Sequence, residues 1–289
     1  MKSVKNTFAT PVIMTMLIGI ALSVTSPAMR AEEKYVLDGT PLPASMIGTW
    51  QVTEVHVDRG ATRTLFYRIN DPRLAGRIFS IGPDKLETNT PEEKRCMSLN
   101  VARKIPNVAK LIQSSMAGRS AAPEKPTLHD YRLSIPNVTV AEAFTVNCGT
   151  TLWAGGLGRE GSVNGAWIVA LPSNKIVVRW YDETILVLDR IPDNTKPNAS
   201  YRCAEASSPV EKTICASIAL AAFDRSVADA YASTAKQLKA TNNPTVLDEL
   251  RAQQKTWLNR RDSCGADDRC LEKSMSDRLE EIEVLSRQG

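Results

Sequence analysis

The sequence predicts an α+β protein: an N-terminal antiparallel β-barrel-like domain followed by a C-terminal, disulfide-stapled helical domain of the α-hairpin or three-helix kind. Three observations predict it. Short alternating apolar and polar runs, separated by tight turns, occupy the chain up to residue 191. Apolar residues at three-, four- and seven-residue steps occupy it from residue 208 onward. Of the six cysteines, Cys96 and Cys148 lie in the first part, and Cys203, Cys215, Cys264 and Cys270 in the second.

The chain begins with Lys2 and Lys5, an apolar run of thirteen residues from Val12 to Val24, and small residues before Ala28 and Ala31. That is the pattern of a secretory signal over residues 1–31, with cleavage after Ala28 or Ala31. The run is short of the ~20 apolar residues of a membrane span; an uncleaved anchor is the alternative. Cysteine is absent near the cleavage site, so no lipid anchor is expected, and the style of the segment suggests a periplasmic destination. Residues 1–31 also carry three basic side chains and no acid, so of 36 basic and 32 acidic residues, 33 and 32 remain. A nearly neutral mature chain gives nucleic-acid binding no electrostatic support. An even cysteine count in an exported chain favours disulfides.

The β part, residues 32–191, opens with Ile47 to Asp58, a Val/Thr/Trp-rich run that predicts a half-buried strand. Residues 64–69 (TLFYRI) and 76–81 (GRIFSI) read as further strands. Residues 107–120 read as one helix and 120–127 as a loop. Residues 166–191 predict three strands in antiparallel meander, turning at Pro172-Ser173-Asn174 and at Asp182-Glu183. Several short strands with tight turns predict a barrel or sandwich. Cys96 and Cys148 make the simplest pair, tying the irregular middle to the sheet. Gly48-Thr49-Trp50 on the first strand with Arg190 on the last resembles the lipocalin arrangement, in which a tryptophan at the barrel base packs beneath an arginine of the closing strand. A core tryptophan opening another kind of β-barrel is the alternative.

Residues 192–200 (PDNTKPNAS) read as a linker, and 201–289 as the helical domain. Ser208, Pro209 and Glu211 mark a helix start with a capping box. Leu220, Phe223, Val227, Tyr231 and Leu238 form one apolar stripe, with a break near Ser217. Asn243 and Pro244 restart a helix with the stripe Leu247, Leu250, Gln254, Trp257/Leu258 and Arg261. Asp267 or Asp268 caps a third, with Leu271, Met275, Leu279, Ile282 and Leu285. Cys264 and Cys270 flank the corner between the last two helices, and Cys203 and Cys215 flank the first helix start. Both spacings allow local disulfides. Zinc would need closer ligand pairs and histidines, yet the chain's two, His56 and His129, lie in the β part. No metal or cofactor is expected.

Cys203, Glu211, Cys215, Leu220, Asp224, Tyr231, Gln254, Trp257, Arg261, Asp262, Cys264, Cys270 and Leu271 fall in register with the pattern of the LprI-like family, which residues 201–285 resemble. That family is named for an exported bacterial inhibitor of lysozyme. The resemblance implies protein–protein inhibition in the envelope, without the lipid-attachment cysteine of the lipoprotein form.

Catalytic motifs are missing from the sequence. His56 sits within a strand, His129-Asp130 is only a neighbouring pair, and the cysteines are expected to be oxidised. Gly156, Gly158 and Gly161 match a dinucleotide fingerprint on paper, but turn and strand residues follow where a helix is required. Inhibition needs only donors that block a cleft. Lysozyme works through two carboxylates, and Arg260 and Arg261 are donors suited to them, with Trp257 as an anchor; the alternative, which is favoured, places Trp257 in the core and pairs Arg261 with Asp224 or Asp262, leaving Arg260, one step off the stripe, exposed. The helical domain holds thirteen basic and fourteen acidic residues, so long-range steering toward a cationic target is weak. The expected partner is a wall- or membrane-attacking enzyme, lysozyme first. A small-ligand-binding barrel with a structural helical domain is the alternative.

Overall fold

The computed structural model describes residues 42–92, 95–116, 125–153 and 166–289. The signal segment, the glycines at 156, 158 and 161 and most of the loop expected at 120–127 lie outside the described residues. Ten strands build one antiparallel sheet: β1 (Gly48–Val57), β2 (Ile78–Ile81), β3 (Leu86–Thr88), β4 (Arg95–Cys96), β5 (Leu99–Lys104), β6 (Ala143–Cys148), β7 (Thr151–Leu152), β8 (Trp167–Leu171), β9 (Lys175–Trp180) and β10 (Thr184–Arg190). Their spatial order is β4-β3-β2-β1-β10-β9-β8-β6-β5, with β7 beside β6. The sheet curls into a nearly closed barrel. Its two ends are β4 and β5, and Leu99 N at the start of β5 donates to Asp84 O in the β2–β3 turn at 2.7 Å. The Cys96–Cys148 disulfide joins β4 at one end to β6, the second strand from the other, with Cα atoms 5.4 Å apart.

Alternation explains the filling. Ile168, Ile176, Val178, Leu186 and Leu188 point into the barrel with Trp50, Phe79, Phe144, Trp153 and Trp180. Trp180 is ringed by Phe79 at 5.3 Å, Trp153 at 5.5 Å and Tyr181 at 5.3 Å between centroids. The alternate residues Trp167, Val169, Val177, Ile185 and Val187 face outward and are covered by α1 (Val108–Ser115) and by Leu128, Tyr131 and Leu133. A bulge between Val52 and Glu54 shifts the register of β1, so Trp50 and Val52 before it and Val55 and Val57 after it all turn inward. The meander turns use positive φ at Ser173, Asn174, Asp182 and Glu183, the backbone sense that follows strand twist.

At the barrel base the Arg190 guanidinium lies 4.3 Å from the Trp50 ring centroid, and Trp50 Nε1 donates to Met46 O at 3.0 Å. Gly48, at φ +147°, leaves the space that Arg190 enters; a Cβ there would collide with the guanidinium.

Residues 64–69 are not a strand. Asn70 N donates to Val55 O at 2.9 Å, and the segment runs as bends and irregular backbone into a turn at Ile69 and Asn70. The reason is Arg73, whose guanidinium bonds Asp71 and Phe66 O and lies 4.4 Å from the Phe66 ring and 4.8 Å from the Tyr67 ring. That knot takes up the backbone and aromatic groups a strand would have paired.

The helical part holds a 3-10 turn at Cys203–Glu205 and α2 (Pro209–Ala216), α3 (Ile218–Ala240), α4 (Pro244–Asp262) and α5 (Asp268–Ser286). Ser208, Ser217, Asn243 and Asp267 each cap the following helix through a side-chain oxygen. Their stripes converge in one core containing Leu220, Phe223, Val227, Leu250, Trp257, Met275 and Ile282. Disulfides Cys203–Cys215 and Cys264–Cys270 close loops of 12 and 6 residues. The stretch 192–200 opens with a turn, in which Thr195 N donates to Pro192 O at 3.0 Å, and continues as irregular backbone whose end is fastened to α3: Ser200 N donates to Asp224 Oδ2 at 2.7 Å.

Residues 36–289 form one compact unit, and arginines fasten barrel to helices. Arg77, fully buried, stacks 3.3 Å from the Phe223 ring centroid and bonds Ser226 Oγ at 2.9 Å. Burial pulls the Arg77 guanidinium down to about 9, more than the charge of Glu272 lifts it. Arg73 reaches Glu280 at 3.0 Å, Arg68 reaches Glu283 at 3.2 Å, and Arg287 donates back to Phe66 O at 3.0 Å. Gly76, at φ +82°, lets the barrel approach Ser226 and Ala222 of α3.

Candidate functional site

The corner between α4 and α5 sorts its residues into internal and external ones. Trp257 is buried, 2 % exposed, and its Nε1 donates to Ser274 O at 3.0 Å. It therefore pins α4 to α5, in keeping with the core reading of Trp257, and offers no surface for the anchor role. Arg261 lies 5.2 Å from the Trp257 ring centroid, 3.7 Å from Asp224 and 2.7 Å from Asp262. Its side chain is only 12 % exposed, so it too acts mainly inside the fold. Arg260 stands one position off the stripe with 53 % of its side chain exposed, and its Nη2 donates to Glu281 Oε1 at 2.8 Å.

Behind Arg260 lies a network the sequence reading missed. Arg278 is fully buried on α5. Its Nε donates to Gln254 Oε1 at 3.0 Å, its Nη1 to Gln253 Oε1 at 3.2 Å and Glu281 Oε2 at 2.9 Å, and its Nη2 to Leu250 O at 3.4 Å. Glu281 thus gives one oxygen to the exposed Arg260 and the other to the buried Arg278. Burial alone would push the Glu281 carboxyl up, but the hydrogen bonds and charges of Arg260 and Arg278 outweigh it and hold it below the usual carboxylate range. A signal was present in the sequence: Arg278 falls seven residues after Leu271 and three after Met275, a charge on the apolar stripe.

Other residues of the shared pattern are engaged in local contacts. Glu211 Oε2 accepts from Ser208 N at 2.9 Å and Ser207 N at 2.8 Å. Tyr201 donates to Glu211 O at 3.1 Å, and burial, with Asp224 and Glu211 nearby, pushes its hydroxyl up to about 12. A groove of about 750 Å³ runs between β2–β3 and α3 and α5, where Glu87, Glu272 and Asp277 face Arg95, Arg269 and Lys273. Its two charge signs balance, so it favours neither cations nor anions.

In the β part, His56 is buried, with Nδ1 2.9 Å from Tyr131 O and Nε2 3.0 Å from Glu54 Oε2. His129 is exposed, and Asp130 accepts from Thr127 N and Oγ1, both at 2.8 Å. Neither histidine joins a nucleophile. Among the described residues no group of three or more His, Cys, Asp or Glu could hold a metal, and no helix is long and apolar enough to cross a membrane.

No curated protein and no solved structure matches the chain. Residues 203–285, the stapled helices with their corner, match the family model described as lysozyme inhibitor LprI.

Proposed function

We propose that the protein is exported to the periplasm and acts there without catalysis, binding and inhibiting an enzyme that attacks wall or membrane, lysozyme first. The observation that carries this reading is the match of residues 203–285 to a lysozyme-inhibitor family. Because Trp257, Arg261 and Gln254 are occupied inside the fold and Glu211 is tied up in its capping box, the proposed contact surface is the outward side of α4 and the stapled corner, with Arg260 at its centre. An arginine donor already held by Glu281 can enter a cleft and face carboxylates with little further ordering. The alternative, a small ligand inside the barrel, has less support: Trp50, Phe79, Trp153 and Trp180 occupy that interior.

The test is a lysis assay with c-type and g-type lysozymes and the purified, oxidised protein. Near-stoichiometric inhibition is expected, weakened about tenfold or more by Arg260→Ala. Unimpeded lysis at micromolar protein would remove lysozyme as the target. Arg261→Ala is unsuited to this test, because it would loosen Trp257 and Asp224.

A further inference from the structure

The groove between the barrel wall and α5 is held open by the fold itself. Ile78 and Ser80 alternate with the inward Phe79 and Ile81, so its floor is the outer face of β2, continued by Asn89. Its wall is α5 from Arg269 to Asp277, with Phe223 of α3 beside it. Both sides are fixed without a ligand: Phe223 lies against the Arg77 guanidinium at 3.3 Å, and Arg73 ties the barrel to Glu280 at 3.0 Å. The volume of about 750 Å³ is that of a ligand cleft.

The lining offers groups that recognise a peptide chain. Asn89 Oδ1 accepts from Ile78 N at 2.7 Å, which leaves its NH2 group to donate elsewhere. Ser80 and Ser276 add hydroxyls that both donate and accept. The charges mark the ends. Lys273 donates to both carboxylate oxygens of Asp277 at 2.9 Å, and Arg95 stands 3.9 Å from Glu87. Arg269 pairs with no carboxylate among the described residues, so its end of the groove is open to an anionic group. Asp277 lies about 12 Å further along the α5 axis and keeps acceptor sites beyond those that Lys273 uses. An extended chain covers about 3.4 Å per residue, so this span fits about three to four residues. Because the lining as a whole is balanced, the ligand must carry both signs.

We propose that this groove binds a short, extended peptide with both ends free, its terminal carboxylate on Arg269 and its terminal ammonium beside Asp277. A purely acidic or purely basic ligand meets repulsion from half of the charged lining, and a neutral sugar leaves both end groups unanswered. The groove is lined by the barrel, α3 and α5, not by α4, so the proposal stands apart from enzyme inhibition.

The experiment is calorimetric titration of the purified, oxidised protein with dialanine, trialanine, tetra-alanine, N-acetyl-trialanine and trialanine amide. Trialanine and tetra-alanine are expected to bind. Dialanine, too short to reach both ends, and each blocked peptide are expected to bind roughly tenfold more weakly. In Arg269→Ala the free acid should bind no better than the amide, and in Asp277→Asn the free amine no better than its acetylated form. Both positions are exposed, so unchanged melting curves are expected in the two variants. Absence of binding at millimolar trialanine would overturn the proposal, as would equal binding by the blocked peptides or a preference for the free acid that survives in Arg269→Ala.

Discussion

Arg278 shows how much one buried charge can decide. Among the described residues its acidic partner is Glu281, which also holds the exposed Arg260. Removing the acid strands a buried cation, whereas removing Arg260 leaves Glu281 still paired. Glu281→Ala is therefore expected to destabilise by roughly 2 kcal/mol, a buried-pair loss discounted for the carboxylate's partial exposure. Arg260→Ala should stay within about 0.5 kcal/mol; urea unfolding of the two variants measures the difference. Glu211 makes a second prediction. The Ser208 and Ser207 backbone N–H groups hold its carboxylate at about 2 against an ordinary 4.5. A folded value below the unfolded one stabilises fully above 4.5, and that contribution drains away as pH falls toward 2. Acid titration of stability should therefore be flatter in Glu211→Gln over that window. The capping box was legible in the sequence because all its partners lie within four residues. Arg278 showed in the sequence as a charge on the apolar stripe, but its network did not, because Gln253, Gln254 and Leu250 come from another helix about 25 positions away.

Among the elements, the three disulfides divide by the length of chain they close. By loop entropy, Cys96–Cys148 contributes about 4 kcal/mol and the two helical staples about 2 to 3 each. Thermal melts should accordingly show a larger loss for Cys96→Ser/Cys148→Ser than for Cys264→Ser/Cys270→Ser. Strand and helix periods made the meander at 167–190 and the stripes of α3, α4 and α5 readable. The same reading failed at 64–69, where Phe66 and Tyr67 looked like strand residues. Their rings instead face Arg73, a tertiary contact that no local pattern encodes. The division of the C-terminal part was legible at Ser217 for a local reason: its hydroxyl caps α3 by accepting from Leu220 N at 3.3 Å.

For the whole molecule, the arginine bridges make the barrel and the helices interdependent. Arg73 is 2 % exposed, and the fully buried Asp71 is its closest acid. Near-UV and far-UV signals are expected to melt together in a single transition. Asp71→Ala should lower stability by about 3 kcal/mol, leaving Arg73 with the half-exposed Glu280 alone, and should separate the two signals. The barrel-and-helices plan was visible in the sequence, but their joint was not, because Arg68, Arg73 and Arg77 look like ordinary solvated charges until α3 and α5 are laid against them. The Cys96–Cys148 bond has a further consequence. It stitches the two margins of a sheet whose strands otherwise form an open ribbon, and such a bond persists only where oxidants prevail. A newly made chain in a reducing cytosol keeps that hem unsewn and can still be drawn lengthwise through a narrow pore. Once the thiols have joined, it can no longer be threaded back, so in the export proposed above the last stitch of the barrel would also make the passage one-way.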